Sequence, residues 1–133
     1  MRIADLHEFK NRTKVLSCHP DETVYNAVVS MTHRRCGAIV VVDKDGKLLG
    51  IFTERDLLSR VVANGRDIET TQISDVMSTN LETVTPKDSV ALTMGRMSHG
   101  RFRHVPVVDD AGLMLGILSQ TDFVSYTVRD IMT

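Results

Sequence analysis

The sequence of 133 residues is poor in three features that define special classes of protein: cysteine, long apolar runs and an excess of one charge. Its two cysteines, Cys18 and Cys36, are too few for the disulfide framework of a secreted protein, and they fit a reducing compartment. Its longest aliphatic run, Ala38 to Val42, is too short to span a bilayer. The first residues lack the apolar stretch of a secretory signal, so we expect a cytoplasmic protein.

The charges of the chain nearly cancel. Sixteen basic and seventeen acidic residues give a formal net charge of −1, which provides no long-range field toward nucleic acid or anionic lipid. Neither is therefore expected as a partner, and an anionic ligand has to be bound by local groups. With 42% hydrophobic and 25% charged residues, the composition is typical of one soluble globular domain with a buried core.

The informative feature of the sequence is an internal repeat. At an offset of 66 residues, 19–57 align with 85–123 without a gap, and 13 of the 39 positions are identical. Other pairs conserve chemical character, among them Thr53 with Ser119. The two halves are therefore predicted to fold alike, with the first repeat in residues 1–66 and the second in 67–133.

Each repeat has the pattern strand, helix, strand, strand, helix. Short β-prone segments at 15–18 and 82–84 precede apolar residues at helical spacing, such as Val24, Ala27, Val28 and Met31. The apolar runs 38–42 and 105–108 indicate strands covered on both faces. Turns with a glycine, "DKDG" and "DDAG", lead to a returning strand in each repeat. The fold class is therefore mixed α and β.

One pair of polar residues follows the last strand of each repeat: Thr53 with Asp56 in the first, and Ser119 with Asp122 in the second. A carboxylate can accept both vicinal hydroxyls of a ribose, and a helix N-terminus offers free N–H groups to a phosphate. The alternative is purely structural, because Thr53 and Ser119 are good N-cap residues and both aspartates favour the helix dipole. The residues alone leave both interpretations open.

The repeated "GIFTERD" and "GILSQTD", with "RHVPVVD" at 103–109 and "SDVMS" at 74–78, resemble a tandem pair of CBS motifs, a Bateman module. This resemblance implies two β-α-β-β-α motifs packed through their sheets about a pseudo-twofold axis. It also implies two clefts for adenosine-containing ligands: AMP as the first expectation, with ADP, ATP or a dinucleotide such as NAD as alternatives. Such a module regulates an attached or partner protein, whose identity the sequence does not indicate. No cofactor is required and no enzymatic activity is implied.

The resemblance further implies that each cleft combines residues of both repeats. The first cleft, here the Asp56 site, would contain Thr53 and Asp56 with Thr83, Arg103 and His104. The second, the Asp122 site, would contain Ser119 and Asp122 with Ser17, Gly37 and Ala38. Only the Asp56 site then has cationic side chains for a phosphate. We therefore predict that this site binds a phosphorylated adenosine more tightly.

Other functional classes have less support in the sequence. Cys18, His19, His33 and Cys36 could form a zinc site, but their repeat partners are Val84, Thr85, His99 and Phe102, so we predict no metal. The basic run 33–35 is interpreted as a solvated helix end, with phosphate binding as the alternative. Neither a nucleophile with a base nor a phosphate-binding glycine loop is present, so we predict no catalytic residues. The main alternative to ligand sensing is a non-binding module that serves only to dimerise.

Two further predictions concern surfaces. The helices carry more apolar residues than one small sheet can cover, which together with the resemblance predicts a homodimer through the helices. The residues are Tyr25, Val29, Leu57, Leu58, Val61, Val62, Phe123, Val124 and Tyr126. Segments of the form "IADL", "ISDV" and "VRDI" occur at 3–6, 73–76 and 128–131. The last copy indicates either a chain cut from a longer protein or a segment that packs on the first repeat.

Overall fold

The computed structural model describes residues 1–132, which divide into two compact units. The first-repeat unit consists of Val15–Leu81. The second-repeat unit is discontinuous in sequence, because Met1–Lys14 contacts the segment that begins at Glu82. The predicted division of the sequence at residue 66 stays a prediction. In residues 1–132, no helix combines the length and the apolar character needed to cross a membrane.

The first-repeat unit has a three-stranded sheet in the order β1-β2-β3, with β1 parallel and β3 antiparallel to β2. Its elements are β1 (Ser17–Cys18), α2 (Val24–Arg34), β2 (Ala38–Val42), β3 (Leu48–Thr53), α3 (Glu54–Asp56), a π-helical turn (Leu57–Val62) and a 3₁₀ turn (Ile73–Asp75).

The second-repeat unit repeats this arrangement with a two-stranded antiparallel sheet. Its elements are a 3₁₀ turn (Ile3–Asp5), α1 (His7–Lys10), α4 (Val90–Gly100), β4 (His104–Val108), β5 (Met114–Ser119) and α5 (Gln120–Met132). The mixed α and β class and the order of elements predicted from the repeat are confirmed.

One predicted strand is much shorter than expected. The segment 82–84 forms only a single parallel bridge, between Val84 and Val107. In the first-repeat unit the amide of Val40 donates to the carbonyl of Leu16, at 3.1 Å. The residue that corresponds to Val40 is Pro106, which has no N–H to donate. The proline therefore removes one ladder hydrogen bond and limits the pairing to the bridge.

The hairpin turns of both units are built alike, as the repeat predicts. The Asp43 carboxylate accepts the amides of Asp45 and Lys47 at 2.8 and 2.9 Å, and Asp109 does the same for Ala111 and Leu113. Gly46 and Gly112 have φ angles of 84° and 86°, a region that favours glycine. These side-chain bonds fix each turn and hold the register of the two strands that follow.

Each unit has its own apolar core, and the predicted helix faces supply it. Val24, Ala27 and Met31 are buried in one unit, and Val90 and Met97 in the other. The strand residues 38–41 and 105–107 are buried on both faces, as predicted. Half-buried Cys18 packs against the first core, which agrees with its apolar position in the repeat.

Several of the nine apolar helix residues are covered within their own unit, so only some of them remain for a partner. Val61 and Phe123 are fully buried core residues, and Leu57 and Tyr126 pack against the cores. The hydrogen bonds of the π-helical turn span five residues, as from Ala63 N–H to Leu58 C=O, and this changes which side chains face inward. The remaining residues are exposed, as predicted: Tyr25, Val29, Leu58, Val62 and Val124.

The segments "IADL" and "ISDV" have the same structural role, one in each unit. The amides of Ile73 and Ser74 donate to the carbonyls of Glu22 and Pro20, at 2.8 and 2.9 Å. The amides of Ile3 and Ala4 donate in the same way to Asp88 and Pro86. Each segment therefore covers the start of a core helix. The third segment, "VRDI", is part of α5.

An ion pair joins α1 to α5 within the second-repeat unit. The Glu8 carboxylate, 9% exposed, accepts two hydrogen bonds from the Arg129 guanidinium, at 2.5 and 2.8 Å. These hydrogen bonds hold the pKa of Glu8 below its usual value. A carboxylate with a lowered folded-state pKa stabilises the fold above its unfolded pKa, and this contribution is lost as the pH falls through the folded pKa.

We expect Arg129→Ala to lower the free energy of unfolding at pH 7 by a small amount, since the arginine is half exposed and water screens the pair. Because Glu8 becomes protonated in acid, the difference from wild type shrinks below about pH 4. Urea denaturation at pH 7 and pH 3.5 measures both differences. A difference that is equal at the two pH values would contradict this role for the ion pair.

Candidate functional site

Thr53 and Asp56 lie where β3 ends and α3 begins. Thr53 is the N-cap of α3, because its hydroxyl oxygen accepts the amide of Asp56 at 3.3 Å. The Asp56 carboxylate reaches back, and its Oδ2 accepts the amide and the hydroxyl of Thr53 at 3.0 and 3.2 Å. This reciprocal capping box fixes the carboxylate at the edge of the sheet. The predicted N-cap role of Thr53 is confirmed.

The other carboxylate oxygen of Asp56 is held by two more residues. Its Oδ1 accepts the hydroxyl of Ser78 at 2.9 Å and lies 3.4 Å from Nε of Arg60. Asp56 is 6% exposed, which makes it one of the few buried charged groups of the unit. A carboxylate buried to this degree needs such donors, because leaving a buried charge without partners is costly.

Ser119 and Asp122 repeat the capping geometry in the second-repeat unit. Oδ2 of Asp122 accepts the amide and hydroxyl of Ser119 at 2.7 and 3.0 Å, and the Ser119 hydroxyl accepts the amide of Asp122 at 3.2 Å. Asp122 is only partly buried. The predicted N-cap role of Ser119 is also confirmed, and both aspartates have the same orientation relative to their own strand.

The hairpins place other predicted site residues at the same strand ends. His104 is paired with Ser119, and the carbonyl of Arg103 accepts the amide of Gln120 at 2.8 Å. In the first-repeat unit, Ala38 is paired with Thr53, and the carbonyl of Gly37 accepts the amide of Glu54. The Arg103 residue is exposed. Each unit thus gathers its own predicted residues at one end of a hairpin.

Thr83 and Ser17 belong to the short segments beside these hairpins. Ser17 lies in β1, is exposed and is paired with Val40. Thr83 is half-buried and precedes Val84, which bridges to Val107. The predicted combination of residues from both repeats in each site stays a prediction. The first site was predicted to join Thr53 and Asp56 with Thr83, Arg103 and His104, and the second to join Ser119 and Asp122 with Ser17.

Ser78 and Arg60 contact Asp56, and neither was among the predicted site residues. Arg60 follows Asp56 by four residues, and this spacing on one helix face is itself a signal for an ion pair. Ser78 belongs to the quoted motif "SDVMS", but its contact with Asp56 depends on tertiary structure. The Ser78 backbone pairs with β3, by two hydrogen bonds of 2.8 and 3.0 Å with Ile51.

The arrangement can bind hydroxyl groups and anions. Burial raises the pKa of the Cys18 thiol to about 11, so this cysteine is protonated near neutral pH and is a poor nucleophile. Within residues 1–132, no three His, Cys, Asp or Glu side chains come together in a group that could hold a metal ion. The acceptors of the two aspartates and the nearby cations are therefore its chemically useful groups.

Comparison with known proteins points to one family. The model of the CBS domain matches the chain twice, at residues 4–63 and 73–129. A curated relative, the mitochondrial CBS domain-containing protein CBSX3 of Arabidopsis thaliana, is 43% identical over 96% of this chain. The chain spans 65% of the length of that relative.

Solved structures of CBS domain proteins have the same fold. The CBS-domain containing protein ATU1752 of Agrobacterium tumefaciens is 35% identical and has a TM-score of 0.84, with coverage of 96% of this chain and 99% of that one. The CBS domain protein PAE2072 of Pyrobaculum aerophilum, solved in complex with AMP, is 25% identical with a TM-score of 0.80, and covers 92% and 89% of the two chains. Two tandem matches to the family model and these structures show that the chain belongs to the CBS domain family.

Proposed function

We propose that this CBS pair is a regulatory module that binds an adenosine-containing nucleotide, with AMP as the first candidate, and transmits its occupancy to a partner or attached domain. The observation that supports the proposal most is the repeated capping geometry of Asp56 and Asp122. In both repeats a fixed carboxylate stands beside a helix N-terminus at the end of a strand. A ribose hydroxyl can donate to such a carboxylate, and a phosphate can accept amide hydrogens at such a helix N-terminus.

The chemistry of the neighbouring residues favours a phosphorylated ligand. The guanidinium of Arg103 can form a bidentate hydrogen bond with a phosphate, and His104 at the start of β4 can add a second donor. The complex of PAE2072 with AMP provides a precedent in a related CBS domain protein. ADP, ATP and NAD share the adenosine and phosphate groups, so they remain the alternative ligands.

Thermal unfolding with nucleotides tests the proposal. We expect AMP to raise the melting temperature in a saturable way, because a ligand that binds only the folded chain stabilises it. At a hundred times its dissociation constant, the gain is about 2.7 kcal/mol. Adenosine and inorganic phosphate, added separately, are the controls for the two halves of the ligand. An unchanged melting temperature at millimolar AMP, ADP, ATP and NAD would leave the dimerisation-only alternative.

The proposed assembly is a homodimer through the helices. Helix α5 has an exposed apolar stripe of Val124, Val128 and Ile131, spaced four and three residues apart on one face. Leu58 and Val62 of the π-helical turn are also exposed. Light scattering at micromolar concentration tests the assembly: twice the mass of one chain supports it, and the mass of a single chain contradicts it.

A further inference from the structure

Three hydrogen bonds and one ion pair hold Asp56 within its own unit. A carboxylate has about four acceptor positions. On Asp56, Oδ2 accepts the amide and the hydroxyl of Thr53, while Oδ1 accepts the hydroxyl of Ser78 and lies 3.4 Å from Nε of Arg60 in an ion pair. The Thr53 contacts are the local helix cap and lie on Oδ2. A ligand hydroxyl that binds this carboxylate therefore approaches Oδ1, where it meets the Ser78 hydroxyl and the Arg60 guanidinium.

Both contacts of Oδ1 involve the Met77–Ser78 segment. Besides its contact with Asp56, Arg60 donates to the carbonyl of Met77 at 3.3 Å. Ser78 is the next residue, and it is held to Ile51 of β3 by both of its backbone groups. Asp56, Arg60 and the Met77–Ser78 segment thus form one closed polar network. From this segment the chain leads to Glu82, where the other unit begins.

Among its described residues, up to 132, the second-repeat unit lacks this network. The residue that corresponds to Arg60 is Tyr126, which packs against the core of its unit. When "ISDV" at 73–76 is aligned with "IADL" at 3–6, Ser78 corresponds to Glu8, each being two residues after its segment. The Glu8 carboxylate cannot donate to Asp122 and is engaged by Arg129. The competition for the aspartate is therefore specific to Asp56.

We propose that Ser78 and Arg60 are specificity-determining residues that compete with a ligand hydroxyl for Oδ1 of Asp56, so that occupancy of this site releases the Met77–Ser78 segment from β3. This inference rests on the proposed nucleotide function. It adds a penalty to binding at Asp56, and it couples that binding to a segment near the end of the first-repeat unit. Such a network, which has a closed and an opened arrangement, is what a ligand needs in order to change the state of a protein.

Calorimetric titration of AMP into an Asp122→Asn background, where Asp56 is the remaining carboxylate, tests the competition. Ser78→Ala removes one competing donor, so we expect AMP to bind about 10- to 100-fold more tightly, the equivalent of one hydrogen bond to a charged group. Ser78→Thr keeps the hydroxyl and is expected to bind as the background does. The matched control is Ser74→Ala, which changes an exposed serine of the same "SDVMS" motif and should leave the affinity for AMP unchanged. Arg60→Ala removes the ion pair on Oδ1 together with the hydrogen bond to Met77, and should also tighten binding.

Hydrogen exchange of the amides of Ile51 and Ser78 measures the release directly. We expect both amides to exchange faster with saturating AMP, although ligand binding slows exchange elsewhere in the unit. If AMP binds but Ser78→Ala and Arg60→Ala bind no more tightly, the competition is refuted and the nucleotide function stands. If no variant binds AMP, the nucleotide function itself fails. Binding by Ser78→Ala but not by the background would support the competition in its strongest form.

Discussion

Gly50→Ala is expected to destabilise the protein by about 3 kcal/mol, and the corresponding Gly116→Ala by about 1 kcal/mol or less. A Cβ atom on Gly50 would lie 2.8 Å from the backbone oxygen of Ser78 and 2.8 Å from Sδ of Met77. The Ser78 oxygen accepts the amide of Ile51, so the clash cannot be relieved without weakening this pairing. The added methyl group therefore forces the Met77–Ser78 segment away from β3.

The environment of Gly116 gives the matched comparison. A Cβ atom there would lie 2.7 Å from Cδ of Arg12 and 3.3 Å from a ring atom of Phe9. Arg12 donates to the carbonyls of Leu115 and Phe9, so its displacement weakens side-chain hydrogen bonds but leaves the backbone pairing of β5 in place. Denaturation in guanidinium chloride measures both losses. Equal destabilisation of the two variants, or a larger loss at Gly116, would contradict the conclusion that the backbone of residues 77–78 is fixed on β3.

Arg103→Ala and Asp56→Asn are each expected to lower the affinity of the tighter of the two AMP-binding events by about 10- to 100-fold. Loss of a hydrogen bond to a charged group costs about 1.5–3 kcal/mol, which corresponds to this change in affinity. Asp122→Asn should leave the tighter event intact, because the predicted Asp122 site has only Gly37 and Ala38 in place of the arginine and histidine. Each asparagine retains one oxygen for the cap of its helix, which limits the effect on folding.

Isothermal titration calorimetry of the three variants separates the two sites. Arg101→Ala removes an exposed arginine two positions before Arg103, and it is the control for a general loss of positive charge. The assignment of the two sites is wrong if Asp122→Asn abolishes the tighter event while Arg103→Ala and Asp56→Asn leave it unchanged.

The repeat explains why much of the fold could be predicted. An ungapped alignment transfers the register of one hairpin to the other, so the turns at Asp43 and Asp109 and the caps at Thr53 and Ser119 follow from the sequence. The short pairing of Val84 could also have been foreseen, because Pro106 replaces a donor residue.

What the sequence did not predict depends on contacts between distant segments. The positions of Ile3 and Ile73 relative to the core helices cannot be read from periodicity, because each segment packs on the repeat that it does not directly precede. The burial of Val61 was missed because a π-helical turn shifts the helix face. The contact from Ser78 to Asp56 was missed because Ser78 lies outside the aligned repeat, and its counterpart beside "IADL" is Glu8 rather than a second serine.

Nucleotide binding by the two repeated aspartates is tested by calorimetric titration of AMP into the wild-type chain and into the double variant Asp56→Asn/Asp122→Asn, after circular dichroism has confirmed that both are folded. We predict a saturable binding heat for the wild type and none for the double variant at millimolar AMP. A wild-type chain that does not bind, or a double variant that binds as well as the wild type, would contradict this role of the aspartates.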